Sequence, residues 1–221
     1  MPGYEVIGNE EREAVNEIFD SKSLFYNGKR VKQFEENFAS YIGTDYAVAV
    51  SSGTAAIKAA LVAAGVGPGD EVITQSFTFI ATVEAILDVG AKPVIINIDE
   101  SLNMNPSELE SAITNKTRAV IPVDMLGVST EVDEINSICK ENNIITIDDN
   151  CEALGADWDN KKLGSQFDMC VFSFDNGKTI TTGEGGMIVT NNEEYSKLCR
   201  EYRDHGHENN PKYPRGRDTH R

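Results

Sequence analysis

The residues best suited to chemistry lie in one stretch, residues 170–192, which reads CVFSFDNGKTITTGEGGMIVTNN. Its apolar run at residues 170–174 predicts a buried strand, and the polar turn that follows carries Lys178. A Thr- and Gly-rich segment (residues 179–186) leads to a second apolar run, residues 187–190. Lysine normally stays at the surface. Held between two core strands, it loses its proton more readily, and a neutral amine attacks a carbonyl carbon to form a Schiff base. A solvated turn lysine in a β-hairpin is the competing reading of the same residues.

Two other segments carry matching chemistry. Residues 142–150, NNIITIDDN, form an apolar run that ends in Asp148 and Asp149. Ligands of open α/β sheets sit at the carboxyl ends of strands, where these acids fall. An acid facing a pyridinium nitrogen, together with a Schiff-base lysine, is the pairing that pyridoxal phosphate (PLP) requires. Ser51-Ser52-Gly53-Thr54 stands between a short apolar strand and a helix. That layout points backbone N–H groups and a helix dipole at an anion; an ordinary N-capped βα turn has the same residues. Phe77 and Phe79 stand where a strand gives way to a helix, so one could stack on a planar ring or simply pack in the core.

The elements that must position these residues alternate in type. Helices are predicted over residues 10–19, capped by Asn9 and with Val15, Ile18 and Phe19 at helical spacing, and over residues 31–41, with Val31, Phe34, Phe38 and Tyr41 on one face and Gly43 as the stop. Strands follow at residues 46–50, 71–75, 93–98, 119–123 and 144–147, interleaved with helices near 55–64, 80–89, 106–113 and 132–141. This rhythm predicts a three-layer αβα fold around a mostly parallel sheet with helices on both faces. The connection through Lys178 is too short for a parallel crossover, so residues 186–190 are expected to run antiparallel or to sit elsewhere. A last helix is expected over residues 193–202. The segment DHGHENNPKYPRGRDTHR, which holds all three histidines, reads as a polar loop; His205 and His207 lack supporting ligands for a metal site.

Composition narrows the partners. Across 221 residues, Lys+Arg 20 against Asp+Glu 36 leaves a net charge of −16, which repels nucleic acid and anionic membranes. Cys139, Cys151, Cys170 and Cys199 lack metal-type spacing and are expected to be free thiols of a cytoplasmic protein. No Gly-x-Gly-x-x-Gly turn follows the first strand, which disfavours a dinucleotide-binding domain.

Taken in order, SSGTAAIKAAL, GPGDEVITQSFTFIATVEAI, DDNCEALGA and FSFDNGKTITTGEGGMIVTN resemble the DegT/DnrJ/EryC1/StrS sugar aminotransferases over nearly the whole chain. The resemblance implies PLP-dependent transamination on fold type I, with glutamate as donor and a keto or aldehyde sugar, nucleotide-linked or an ulosonate, as acceptor for cell-surface polysaccharide. It implies that Lys178 is the catalytic residue that binds the cofactor and moves the proton, and that Asp149 pairs with the pyridine nitrogen. It implies phosphate contacts from Gly53, Thr54 and Ser173, and stacking by Phe79. Glu152 falls near the cofactor's 3′-oxygen, where relatives often carry Gln or His. Asp124-Met125-Leu126 replaces their His-Leu-Tyr, so acceptor preference does not transfer. Similar 3-dehydratases carry histidine in place of the lysine. The resemblance further implies a homodimer with shared active sites, the SKSLFYNGKR loop lining the neighbour's site. Residues 1–204 are expected to form the large domain, its first 42 residues helical, and residues 205–221 to lead toward a small C-terminal domain that this chain lacks. The competing expectation is a truncated, PLP-binding or regulatory protein without turnover.

Overall fold

A computed structural model of the chain describes residues 2–22 and 28–206. A 3-10 turn, Gly3–Val6, and two helices, α1 (Asn9–Asp20) and α2 (Lys29–Ile42), precede the sheet. Strand β1 (Tyr46–Val50) leads into α3 (Gly53–Ala63), β2 (Glu71–Gln75) into α4 (Ile80–Asp88), and β3 (Lys92–Ile96) into α5 (Pro106–Ala112). Next come β4 (Thr117–Ile121), α6 (Val132–Glu141), β5 (Ile145–Asp149) and a small hairpin of β6 (Asp157–Trp158) and β7 (Lys161–Lys162). Strands β8 (Met169–Ser173) and β9 (Gly186–Thr190) and helix α7 (Glu193–Arg203) complete the described elements.

Seven strands make one sheet in the order β1-β9-β8-β5-β4-β2-β3. β9 is antiparallel to both its neighbours, while the remaining pairs are parallel, so β9 alone runs against the other six strands. Side chains alternate across the pleat. Val72, Ala119, Val171 and Ile188 therefore join α3, α4 and α7 in one core. Their neighbours Ile73 and Val120 pack with α5 and α6, and Phe172 and Val189 pack with α2. The architecture is a three-layer αβα fold with a mostly parallel mixed sheet.

Helix α3 is central because it is small-sided: Ala56, Ala59, Ala60 and Ala63 are all buried, which lets it lie close to the sheet and to α4 and α7. Its start is capped by Ser52, whose Oγ accepts from the Ala55 N–H at 3.1 Å. Gly43 ends α2 at φ +86, a left-handed stop that glycine takes without cost.

Several expectations are corrected. Residue 9 is the first residue of α1 rather than its cap; Glu11 accepts from the Gly8 N–H at 2.7 Å, so the helix begins one residue earlier. Its predicted apolar positions exist but meet no core: Val15 and Phe19 are exposed, and α1 buries no residue. On α2 the buried face is Glu35, Phe38, Ala39 and Ile42, whereas Tyr41 lies half-exposed against Phe38 and under the Lys162 ammonium. Strand β5 continues through Asp148 and Asp149 instead of stopping before them. The β6–β7 hairpin had no apolar run to announce it; its turn is Asp159-Asn160, both left-handed at φ +48 and +59. The loop residues 23–27 and the tail residues 207–221, including His207, lie outside the described residues. No described helix is long and apolar enough to cross a membrane.

Candidate active site

The parallel strands open a cleft at their carboxyl ends, as a doubly wound sheet requires. Its volume is about 320 Å³, and Gly53, Thr54, Phe79, Asp149, Glu152, Ser173 and Lys178 all line it. Seven residues from four separate sequence segments therefore converge on one space. Thr78, Thr82, Met125, Cys151, Asp175 and Glu184 complete the wall nearest them.

Asp149, the last residue of β5, is almost fully buried. Its Oδ2 accepts from the Thr82 hydroxyl at 2.9 Å, and its Oδ1 from the Cys151 N–H at 3.2 Å. Thr82 in turn meets the Thr78 hydroxyl at 2.8 Å. Burial, and next the adjacent Asp149, push the Cys151 thiol well above the ordinary cysteine range, so Cys151 stays a protonated, inert thiol here.

Lys178 sits in the irregular loop between β8 and β9 rather than in a tight hairpin. The loop is pinned from two sides. Gly3 N–H donates to the Lys178 carbonyl at 2.8 Å, and a side chain at Gly3 would come within 2.9 Å of Thr179 O. The Lys178 N–H donates to Asp175 O at 3.0 Å. Its ammonium lies 3.7 Å from Glu152 Oε1, and Glu152 Oε2 accepts from the Leu126 N–H at 3.3 Å. Leu126 takes a left-handed conformation, φ +56, which is uncommon for a branched residue and marks the chain as held there.

At the start of α3, Ser52 takes the N–H groups of Ala55 and Ala56. Among the described residues this leaves the Gly53 and Thr54 N–H groups available at the positive end of the helix dipole. Gly53 has no room for a side chain: a Cβ would stand 2.9 Å from both Cys151 Sγ and Ser173 Cβ. Gly186 is equally tight, since a Cβ there would meet Ser52 O at 2.3 Å. β9 thus presses its glycine against the loop that opens α3.

Two positioning residues escaped the sequence reading. Thr82 carried one signal, its spacing of four from Thr78 on the first turn of α4. Gln75 carried none. It is fully buried; its Oε1 accepts from Met104 N–H at 2.9 Å and Val123 N–H at 3.1 Å, while its Nε2 donates to Phe77 O at 2.9 Å. Gln75 thereby fixes the loop that carries Phe79.

Comparison with known proteins agrees with this geometry. The model of the DegT/DnrJ/EryC1/StrS aminotransferase family matches residues 5–217. The GDP-perosamine synthase of Caulobacter vibrioides is 40% identical over 204 residues, covering 92% of this chain and 55% of that protein. Among solved structures, an aminotransferase from Psychrobacter cryohalolentis superposes with a TM-score of 0.90 at 33% identity, covering 97% of this chain and 56% of that one. An E. coli GDP-4-keto-6-deoxy-D-mannose-3-dehydratase, solved with bound hydrated PLP, gives 0.84 at 35% identity, covering 91% and 53%. The chain spans about half the length of the relatives it matches.

Proposed function

The chain belongs to the DegT/DnrJ/EryC1/StrS aminotransferase family, and on that premise we propose that it binds PLP and takes part in moving an amino group from glutamate to a keto or aldehyde sugar. The observation that carries the reading is the convergence of a lysine, a buried acid and a helix-start cradle on one cleft.

The residues present fit the cofactor. The cradle at Gly53, which any Cβ would fill, has the Gly53 and Thr54 N–H groups and the Ser173 side chain around it, the donor set that a phosphate ester takes. Asp149 would hold a proton on the pyridine nitrogen, with Thr82 fixing its carboxylate. Phe79 would cover one face of the ring. Lys178 would bind the cofactor covalently and afterwards carry the proton between the carbon atoms that exchange it. When bound, PLP supplies the electron sink; the chain's own residues bind, orient and move protons. Glu152 keeps the Lys178 ammonium on the cleft side by its 3.7 Å ion pair.

We further propose a cytoplasmic homodimer whose sites lie at the subunit interface. Large apolar side chains stay exposed around and near the cleft, with Phe79 68% and Leu126 67% exposed, and a second subunit would cover them.

An absorbance spectrum of the purified chain with added PLP tests the reading. A band at the visible edge should form, vanish in Lys178→Ala, and shift when glutamate is added. A band that ignores glutamate would favour a binding-only role. No band at all would overturn the assignment for this chain.

A further inference from the structure

Behind the cleft lies a second group of acids that the reaction does not use. Asp124, just after β4, and Asp148, within β5, are both fully buried. Asp124 Oδ1 accepts from the Thr130 N–H at 2.7 Å, while its Oδ2 has no hydrogen-bond partner. Asp148 Oδ2 accepts from the Asn150 side-chain amide and lies 3.7 Å from the Cys170 thiol, while its Oδ1 has none. Asp124 and Asp148 stand close enough for the charge of one to act on the other. Among the described residues no lysine or arginine forms an ion pair with either. The groups facing the pair are Asp149 on β5, Cys170 on β8 and, beyond them, Cys151; none supplies a positive charge.

We propose that Asp124 and Asp148 hold a single proton between them behind the cleft, so that the buried pair carries one negative charge instead of two. Three of the unpartnered atoms in this cluster, Asp124 Oδ2, Asp148 Oδ1 and Asn150 Oδ1, are pure acceptors. A proton on either acid supplies the missing donor. It also removes one of two charges that no solvent screens, the arrangement that makes close carboxyls share a proton elsewhere. Burial, more than any neighbour, pushes Asp124 up to about 7 and Asp148 up as well. The pair is joined to Asp149 through the backbone: Asp124 N–H donates to Asp149 O at 3.1 Å. Alternation along β5 sends Asp148 and Asp149 to opposite faces of the sheet. Asp149 therefore lines the cleft while Asp148 stays behind it with Asp124.

The test uses the chain labelled with ¹³C at the aspartate carboxyls, without cofactor. Between about pH 5 and about 9, two carboxyl signals should move together in one step near neutrality. That step should persist in Asp149→Asn and vanish in both Asp124→Asn and Asp148→Asn. Because the folded-state values are raised, the stability they confer is complete below the ordinary carboxylate range and is lost as pH rises through about 7. The urea midpoint of the unaltered chain should therefore fall over that window and that of Asp124→Asn should stay flat. Signals ionised throughout, or midpoints that fall equally in both chains, would overturn the proposal. So would a midpoint raised by added K⁺ or Mg²⁺ only in the unaltered chain, since a cation would then occupy the cluster.

Discussion

Gly53 shows how narrowly single residues set this site. A Cβ at that position would press on Cys151 Sγ and Ser173 Cβ, both 2.9 Å away, and Ser173 belongs to a strand that cannot retreat. Gly53→Ala should cost about 1–3 kcal/mol of stability through overpacking and weaken PLP binding in the same step, as read by urea unfolding and PLP titration. If stability drops and cofactor affinity holds, the cradle lies elsewhere. Gly53 was legible in the sequence only as one of two readings, because an ordinary N-capped βα turn has the same small residues. The Asp148-Asp149 doublet was legible as acids at a strand's end, yet which of them enters the cleft depends on pleat alternation.

The elements that carry these residues are secured at an edge. β1 ends the sheet, and an exposed edge is a hazard for any strand. Here its outward backbone groups are taken by charged side chains: Glu35 Oε1 accepts from the Ala49 N–H at 2.9 Å, Arg200 donates to Ala47 O at 2.7 Å, and Arg203 donates to Ala49 O at 2.8 Å. Glu35 also pairs with both arginines, at 2.8 and 2.7 Å. Three elements, α2, β1 and α7, thus meet at one buried carboxylate. Glu35→Ala removes the acceptor from two charged groups and one N–H, and should cost about 3–5 kcal/mol in urea unfolding, with Glu35→Gln costing less. A loss within the range of an exposed ion pair, under about 1 kcal/mol, would show that water replaces the carboxylate. The sequence offered only an acid on an otherwise apolar helix face. Its two arginine partners lie more than a hundred and fifty residues away.

At the scale of the whole molecule, charge and apolar surface oppose each other. A net charge of −16 makes copies of the chain repel, and salt screens that repulsion. Meanwhile α1 presents Val15, 50% exposed, and Phe19, 61% exposed, on a helix with no buried residue. An amphipathic helix without a core to cover gains from a second surface. Sedimentation should show association that strengthens with protein concentration and with salt, and Phe19→Asp should weaken it while leaving the unfolding midpoint unchanged. A chain that stays monomeric at high concentration and high salt would count against the homodimer.

What the sequence by itself determined is the succession of the main helices and strands and the segments that meet at the cleft. Apolar runs, helix spacing, Ser52 as a cap and the lysine loop are local, and local patterns survive translation into structure. Tertiary structure alone decided the rest. It placed β9 between β1 and β8, a position that the short lysine loop, which by itself points to a reversal, leaves open. It likewise brought Asp124 beside Asp148 and Thr82 under Asp149, contacts that join residues on different strands and helices. Such contacts form only when the sheet is assembled, so no spacing along the chain records them.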